Sequence, residues 1–412
     1  MSRLEVGWMR TAKVAGLLVV SGALGCQAQP DHQGGEADPE DVPDSIEAVT
    51  AAPPEEATPL LDRRAEPATQ GMDSVRLAEA EAEAASLSRL HSMVVARHGD
   101  VVLERRFRGP SLDDAVNVKS VSKSLLSAIV GGAVEEGYLD GVRDPIEPHF
   151  PEVLPVVTGD EAASEWAALD AEGEGGEAVE VSRSSDPRAA ITMEDLLAMS
   201  SGLESTSFGN RYGRWVSSPD WVRYALEEPM TFEPGSRMVY STGNSHLASA
   251  VLTRAAERST HALAQEVLAE PLGIRLPPWP QDPQGIYFGG NDMLISPRDL
   301  LRFGEMYRAG GEYDGDRVLP REWIEDSWDV RVRSPRNGDG YALGWWARDA
   351  GAYEVRFAWG YGGQYLFIVP ELELTVVFTS DPYGPRERGH NQTLHRILDE
   401  LLVPAAEAGA GQ

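Results

Sequence analysis

Asn117-Val118-Lys119-Ser120-Val121-Ser122-Lys123-Ser124-Leu125-Leu126-Ser127 is the stretch on which the reading of this chain turns. It holds Ser-x-x-Lys at Ser120 and Lys123, directly before apolar residues that recur at helical spacing: Leu125, Leu126, Ile129, Val130, Ala133 and Val134, as far as Gly137. On a helix, positions i and i+3 share a face, so the Lys123 amine can reach the Ser120 hydroxyl. The helix N-terminus lowers the cost of negative charge on Oγ. An amine buried there falls far below its usual pKa of about 10.4 and can accept the hydroxyl proton. Ser-x-x-Lys alone is weak; opening an apolar helix gives it weight.

Lysine usage points the same way. Lys13, Lys119 and Lys123 are the chain's only lysines, while arginine is abundant. A buried amine can be neutral near pH 7, and a guanidinium cannot.

Upstream, residues 75–90 read as a helix rich in Ala and Glu, and residues 93–96 and 101–104 flank His98-Gly99-Asp100 as a hairpin. Downstream the chain is mainly helical. Thr192-Met193-Glu194-Asp195 has capping-box character, residues 245–256 are rich in Ala, Leu and Val, and Ser296-Pro297-Arg298-Asp299 places a cap, an N1 proline and an N3 acid. Strands return at residues 341–348, 353–359, 364–369 and 374–380, before a last helix over 391–402. Strands at both ends of a helical middle predict an α+β fold, an α/β sandwich. One antiparallel sheet is built from N- and C-terminal strands and flanked by helices, with a mainly helical lobe inserted. Residues 158–189, acidic and rich in Gly, read as a flexible insertion.

The 412 residues are 42% hydrophobic and 25% charged, with ten tryptophans, enough for a substantial core. A net charge of −30 with no basic stripe speaks against nucleic acid as a partner. Residues 1–26 read as a secretion signal: Arg3, Arg10 and Lys13 precede a short apolar run over 14–20, and Ala23-Leu24-Gly25-Cys26 resembles a lipobox. The expectation is an exported lipoprotein on the cell envelope, held to the membrane through lipid on Cys26. Residues 27–74 read as a disordered acidic tether, 75–406 as the folded domain and 407–412 as a tail. From 27 to 90 there are 15 acidic and 4 basic residues, a net of −11, so much of the charge sits near the tether. With Cys26 the only cysteine, the domain has no intrachain disulfide.

The Ser120 segment resembles the nucleophile segment of the serine β-lactamase and penicillin-binding superfamily, most closely its esterase and 6-aminohexanoate-dimer hydrolase branches. Further stretches follow in the superfamily's order: Met199-Ser200-Ser201-Gly202-Leu203, Pro234-Gly235 with Tyr240-Ser241-Thr242-Gly243-Asn244, Gly289-Gly290-Asn291-Asp292, and Gly360-Tyr361-Gly362-Gly363-Gln364. The resemblance spans about residues 77–402. It implies Ser120 as nucleophile, with Lys123 and Tyr240 handling its proton, and no metal or organic cofactor. The backbone N–H groups of Ser120 and Tyr361 become the implied oxyanion hole.

Two departures follow. The third position of the tyrosine motif, usually Asn, is Thr242, with Asn244 two residues on, so either could hold a substrate amide. Where β-lactamases carry Lys-Thr-Gly this chain has Ala358-Trp359-Gly360, losing the donors for a substrate carboxylate. Such a contact is worth about 1.5–3 kcal/mol, which ranks β-lactams and D,D-peptides below other small-molecule or peptide-like esters and amides. Gly360 and Trp359 are expected to line the substrate site, with Trp345 and Trp346 as further wall or core. Competing readings are thin. There is no Gly-x-Ser-x-Gly elbow, none of the eight histidines has a triad context, although His246 lies near Tyr240, and no His-Glu-x-x-His motif exists. A lipid-tethered protein that binds a peptide or cell-wall fragment without turnover is the rival from another class.

Overall fold

The turn between the first two strands sets the sheet going. His98 (φ 53°) and Gly99 (φ 88°) both take left-handed backbone, the two-residue turn whose twist suits a tight hairpin. It joins β1 (Leu90–Arg97) to β2 (Asp100–Arg106) in antiparallel register. The computed structural model describes residues 63–154, 186–385 and 387–410. The leader with Cys26, the tether as far as residue 62 and the insertion up to residue 185 lie outside the described residues.

Six further strands complete one sheet: β3 (Val332–Arg333), β4 (Gly340–Tyr341), β5 (Trp346–Ala350), β6 (Tyr353–Gly360), β7 (Gln364–Val369) and β8 (Leu374–Ser380). The order is β2-β1-β8-β7-β6-β5-β4-β3, and neighbours run antiparallel. The first strand therefore pairs with the last, Val94 opposite Val377, as the arrangement of strands at both chain ends predicts.

Side chains alternate between two cores, because successive residues of a strand point to opposite faces. Val94, Ala96, Leu366, Ile368 and Val377 join the core that includes α2 (Ser122–Glu135), α3 (Thr242–Ala255) and α4 (Pro297–Arg308). Met93, Val95, Phe367, Val376 and Phe378 join a second core with α1 (Ser74–Ser86) and the helical residues 390–410. The capping devices read from the sequence form: Thr192 and Asp195 make a reciprocal box, and Ser296 Oγ accepts from Asp299 N at 3.0 Å. Helix α2 is buried from Ser122 to Ala133, and its Gly131 and Gly132 leave room for Trp323 and Val267.

Four expectations are corrected. The folded part begins before residue 75: Arg64 bridges to Val101, Met72 is buried and Asp73 caps α1, so the end of the supposed tether covers the β2 edge. Helix α1 stops at Ser86, because Leu90 must already pair with Ser380. The strand expected over 341–348 is broken at 342–345, where Gly344 turns the chain at φ 81° with its N–H bonded to the Leu197 carbonyl. At the far end, helix Val403–Ala410 runs through the supposed tail.

Candidate active site

Ser120 is presented by a strained approach. Val116–Asn117 pairs with Leu294–Ile295, and Val118 N–H bonds the Met293 carbonyl at 3.1 Å. Lys119 then takes φ 52°, unusual for a side chain with a Cβ, while its N–H is caught by Asn117 Oδ1 at 2.9 Å. The short 3-10 turn Lys119–Val121 runs directly into α2 and leaves Ser120 partly exposed at the helix start.

Lys123, one turn along, is 2% exposed. Its Nζ lies 3.1 Å from Ser120 Oγ, 2.7 Å from the Gly290 carbonyl oxygen and 3.4 Å from Thr242 Oγ1. Burial lowers its pKa from 10.5 to about 7, with the carboxylate of Asp292 pulling the other way. A neutral amine matches this shell. It donates to Gly290 and Thr242 and keeps a lone pair for the Ser120 proton.

Tyr240 completes the group. Its ring centroid is 5.0 Å from Lys123 Nζ, and its phenol lies close enough to the Ser120 side chain to bear on its titration. Burial pushes the phenol up to about 12, so it stays protonated at neutral pH. The ring stacks on Trp346 at 6.0 Å and meets Tyr341 edge-on at 6.2 Å. Its loop rests on the Met199–Leu203 motif: Val239 N–H bonds the Met199 carbonyl at 2.7 Å, and Gly235 N–H the Ser200 carbonyl at 2.8 Å.

The remaining expected residues divide. Thr242 faces Lys123, and Ser207 Oγ secures it, 2.9 Å from the hydroxyl and 2.7 Å from the backbone N–H. Asn244 is 1% exposed, and its Oδ1 accepts from Ser201 Oγ at 3.0 Å, which ties helix α3 to the Met199–Leu203 motif. Of the two, Thr242 therefore borders the Lys123 amine. Gly360 is required for a reason the sequence did not suggest: a Cβ there would collide with the Val118 carbonyl, so strand β6 lies directly against the nucleophile turn. Tyr361, next in the chain, is 54% exposed at the site's edge, and Phe208 (53%) stands 6.4 Å from Tyr240. Trp359 is partly exposed and meets Trp346 edge-on at 6.2 Å, whereas Trp345 is fully buried against Tyr307 and Phe303.

His246 belongs to the core. It is fully buried among Trp215, Trp221 and Phe288, and its Nε2 lies 2.9 Å from Asp282 Oδ2. Among the described residues no group of three His, Cys, Asp or Glu side chains could hold a metal ion. No helix among them is long and apolar enough to cross a membrane.

A model of the β-lactamase family matches residues 91–399. The chain belongs to the β-lactamase family. A 6-aminohexanoate-dimer hydrolase of Paenarthrobacter ureafaciens is 23% identical over 334 residues, covering 77% of this chain and 78% of that protein. Among solved structures, EstCE1, a hydrolase with promiscuous acyltransferase activity, superposes with a TM-score of 0.60 at 18% identity, over 83% of this chain and 99% of that one. The octameric penicillin-binding protein homologue of Pyrococcus abyssi gives 0.56 at 18% identity, over 78% and 75%. The fold is thus the β-lactamase/transpeptidase fold, and membership of this family supports a hydrolase.

Within this β-lactamase-family site, sequence reasoning missed two contributors. The Gly290 carbonyl touches Lys123 because Gly290 adopts φ 71°, and a Cβ on Gly289 would strike the Ser245 carbonyl. The Gly289-Gly290 pair was the available signal, although no pattern says that a backbone oxygen is the product. Ser207 left no signal at all.

Proposed function

We propose that the protein is a serine hydrolase that acts on an ester or amide through an acyl-enzyme on Ser120. The observation that carries this is the buried Lys123 amine, 3.1 Å from Ser120 Oγ and lowered to about 7. Ser120 Oγ attacks the substrate carbonyl as its proton passes to Lys123, forming the new C–O bond and an oxyanion. The N–H groups of Ser120 and Tyr361 are the candidates to stabilise that oxyanion. As the C–O or C–N bond of the leaving group breaks, the phenol of Tyr240 hands it a proton and is re-protonated from Lys123. Water then attacks the acyl carbonyl with Lys123 again as base, returning Ser120.

Ala358 and Trp359 supply neither a cation nor a hydroxyl for a carboxylate, so the preferred substrates lack one beside the scissile bond. Thr242 lies beside the Lys123 amine and Gly360 against the nucleophile turn, and the exposed aromatic surface of Phe208 and Trp359 suits an apolar or planar acyl part. The leader, with Cys26 as the lipid acceptor, supports export and anchoring at the cell envelope. Metabolic labelling with a fatty-acid analogue, lost in Cys26→Ser, is the check; labelling that survives that substitution rejects the anchor.

A fluorophosphonate probe tests the enzyme reading. Covalent labelling that disappears in Ser120→Ala supports it. An intact, folded protein that resists the probe supports a non-catalytic binder. Turnover of p-nitrophenyl esters, compared with nitrocefin and D-amino acid amides, then ranks substrate classes and decides between ester and amide.

A further inference from the structure

The second lysine of the nucleophile segment has no part in the proton path, yet it is almost as tightly built in as the first. Lys119 Nζ lies 2.8 Å from Asp292 Oδ1 and 2.9 Å from the Tyr383 hydroxyl, with only 13% of its side chain exposed. Asn117 Nδ2 donates to the same carboxylate oxygen at 2.8 Å. Both ends of the ion pair sit on left-handed backbone, Lys119 at φ 52° and Asp292 at φ 59°. For residues with a Cβ such backbone costs about 1 kcal/mol or more and persists only where the surroundings enforce it. One strained residue precedes Ser120. The other lies two positions after Gly290, whose carbonyl holds Lys123.

We propose that Lys119 is a positioning residue: its ion pair with Asp292 ties the nucleophile turn to the Gly290 loop and cancels a carboxylate charge that would otherwise hold Lys123 protonated. This rests on the hydrolase reading above. The charged and titratable groups around Lys123 are Asp292 and Tyr240; those around Asp292 are Lys119, Tyr212 and Tyr383. Asp292 is the carboxylate that raises Lys123, so Lys119 is the counter-charge that offsets it. The two substitutions therefore have opposite signs. Removing the Lys119 cation unmasks Asp292 and takes a positive charge away from Lys123, and both effects favour the protonated amine. Removing the Asp292 charge does the reverse.

The test is the second-order rate of fluorophosphonate labelling at Ser120 as a function of pH in the full chain. The rate rises as Lys123 loses its proton, and the midpoint reports that proton alone while the protein stays folded across the pH range, which circular dichroism at each pH verifies. Lys119→Met should move the midpoint up, and Asp292→Asn should move it down, each by about half a pH unit or more. Lys119→Arg, which keeps the charge, should stay close to the parent. Midpoints that do not move, or that move in the same direction in both variants, overturn the inference while the hydrolase reading stands. A parent protein that is not labelled at Ser120 overturns the hydrolase reading itself, and this inference with it.

Discussion

Lys123 is where function and stability pull apart. Its amine is neutral in the folded chain above about pH 7, whereas in the unfolded chain it stays protonated to about 10.5. Between those values the unfolded state binds more protons, so stability rises with pH across that window, and below it the burial cost is fully present. Lys123→Met should therefore abolish turnover and raise stability at pH 7 on the order of 1 kcal/mol, the gain shrinking as pH approaches 10. Urea unfolding at several pH values, beside an ester assay, checks both halves. Lys123→Arg should be equally inactive, because a guanidinium does not give up its proton. Tyr240→Phe keeps the ring on Trp346 but removes the phenol; kcat should fall about a hundredfold or more with little change in unfolding midpoint.

At the scale of elements, the site exists because strand β6 and the nucleophile turn touch. Gly360→Ala pushes a methyl group into the Val118 carbonyl and should separate the two. The expected loss is about 1–3 kcal/mol of stability, with kcat falling more than the remaining folded fraction explains. Circular-dichroism melting alongside activity on a p-nitrophenyl ester measures the two effects. Such contacts explain which parts of the site were legible. Ser120 and Lys123 are local, three residues apart across the 3-10 turn that runs into α2, so spacing alone gave their meeting. The choice between Thr242 and Asn244 was not local: it was made by Ser207 and Ser201, which arrive from a distant loop. His246 looked like a site candidate only until Trp215, Trp221 and Asp282 closed around it.

At the scale of the whole molecule, residues 63–73 are tied to the hairpin and to the last helix. Asp73 N–H bonds the Ala405 carbonyl at 2.9 Å, Val101 N–H bonds the Arg63 carbonyl at 3.1 Å, and the hairpin of β1 and β2 needs β8 beside it. A chain beginning at residue 75 loses the burial of Met72 and these hydrogen bonds, and should unfold about 1–3 kcal/mol more easily than one beginning at residue 63. Denaturant midpoints of the two truncations decide this. The composition of residues 63–74 gave no hint of their docking, because covering a strand edge uses backbone groups that every residue carries.

Residue type and short spacing alone determined the antiparallel α+β frame, the caps, the hairpin turn and the Ser120–Lys123 pair, since all of these follow from periodicity or from neighbours within one turn of helix. The tertiary structure decided which backbone oxygen grips the amine, which hydroxyl stands beside it, why residue 360 must be glycine and which histidine is core. Each of these depends on chain segments that are remote in sequence, and on how closely they pack.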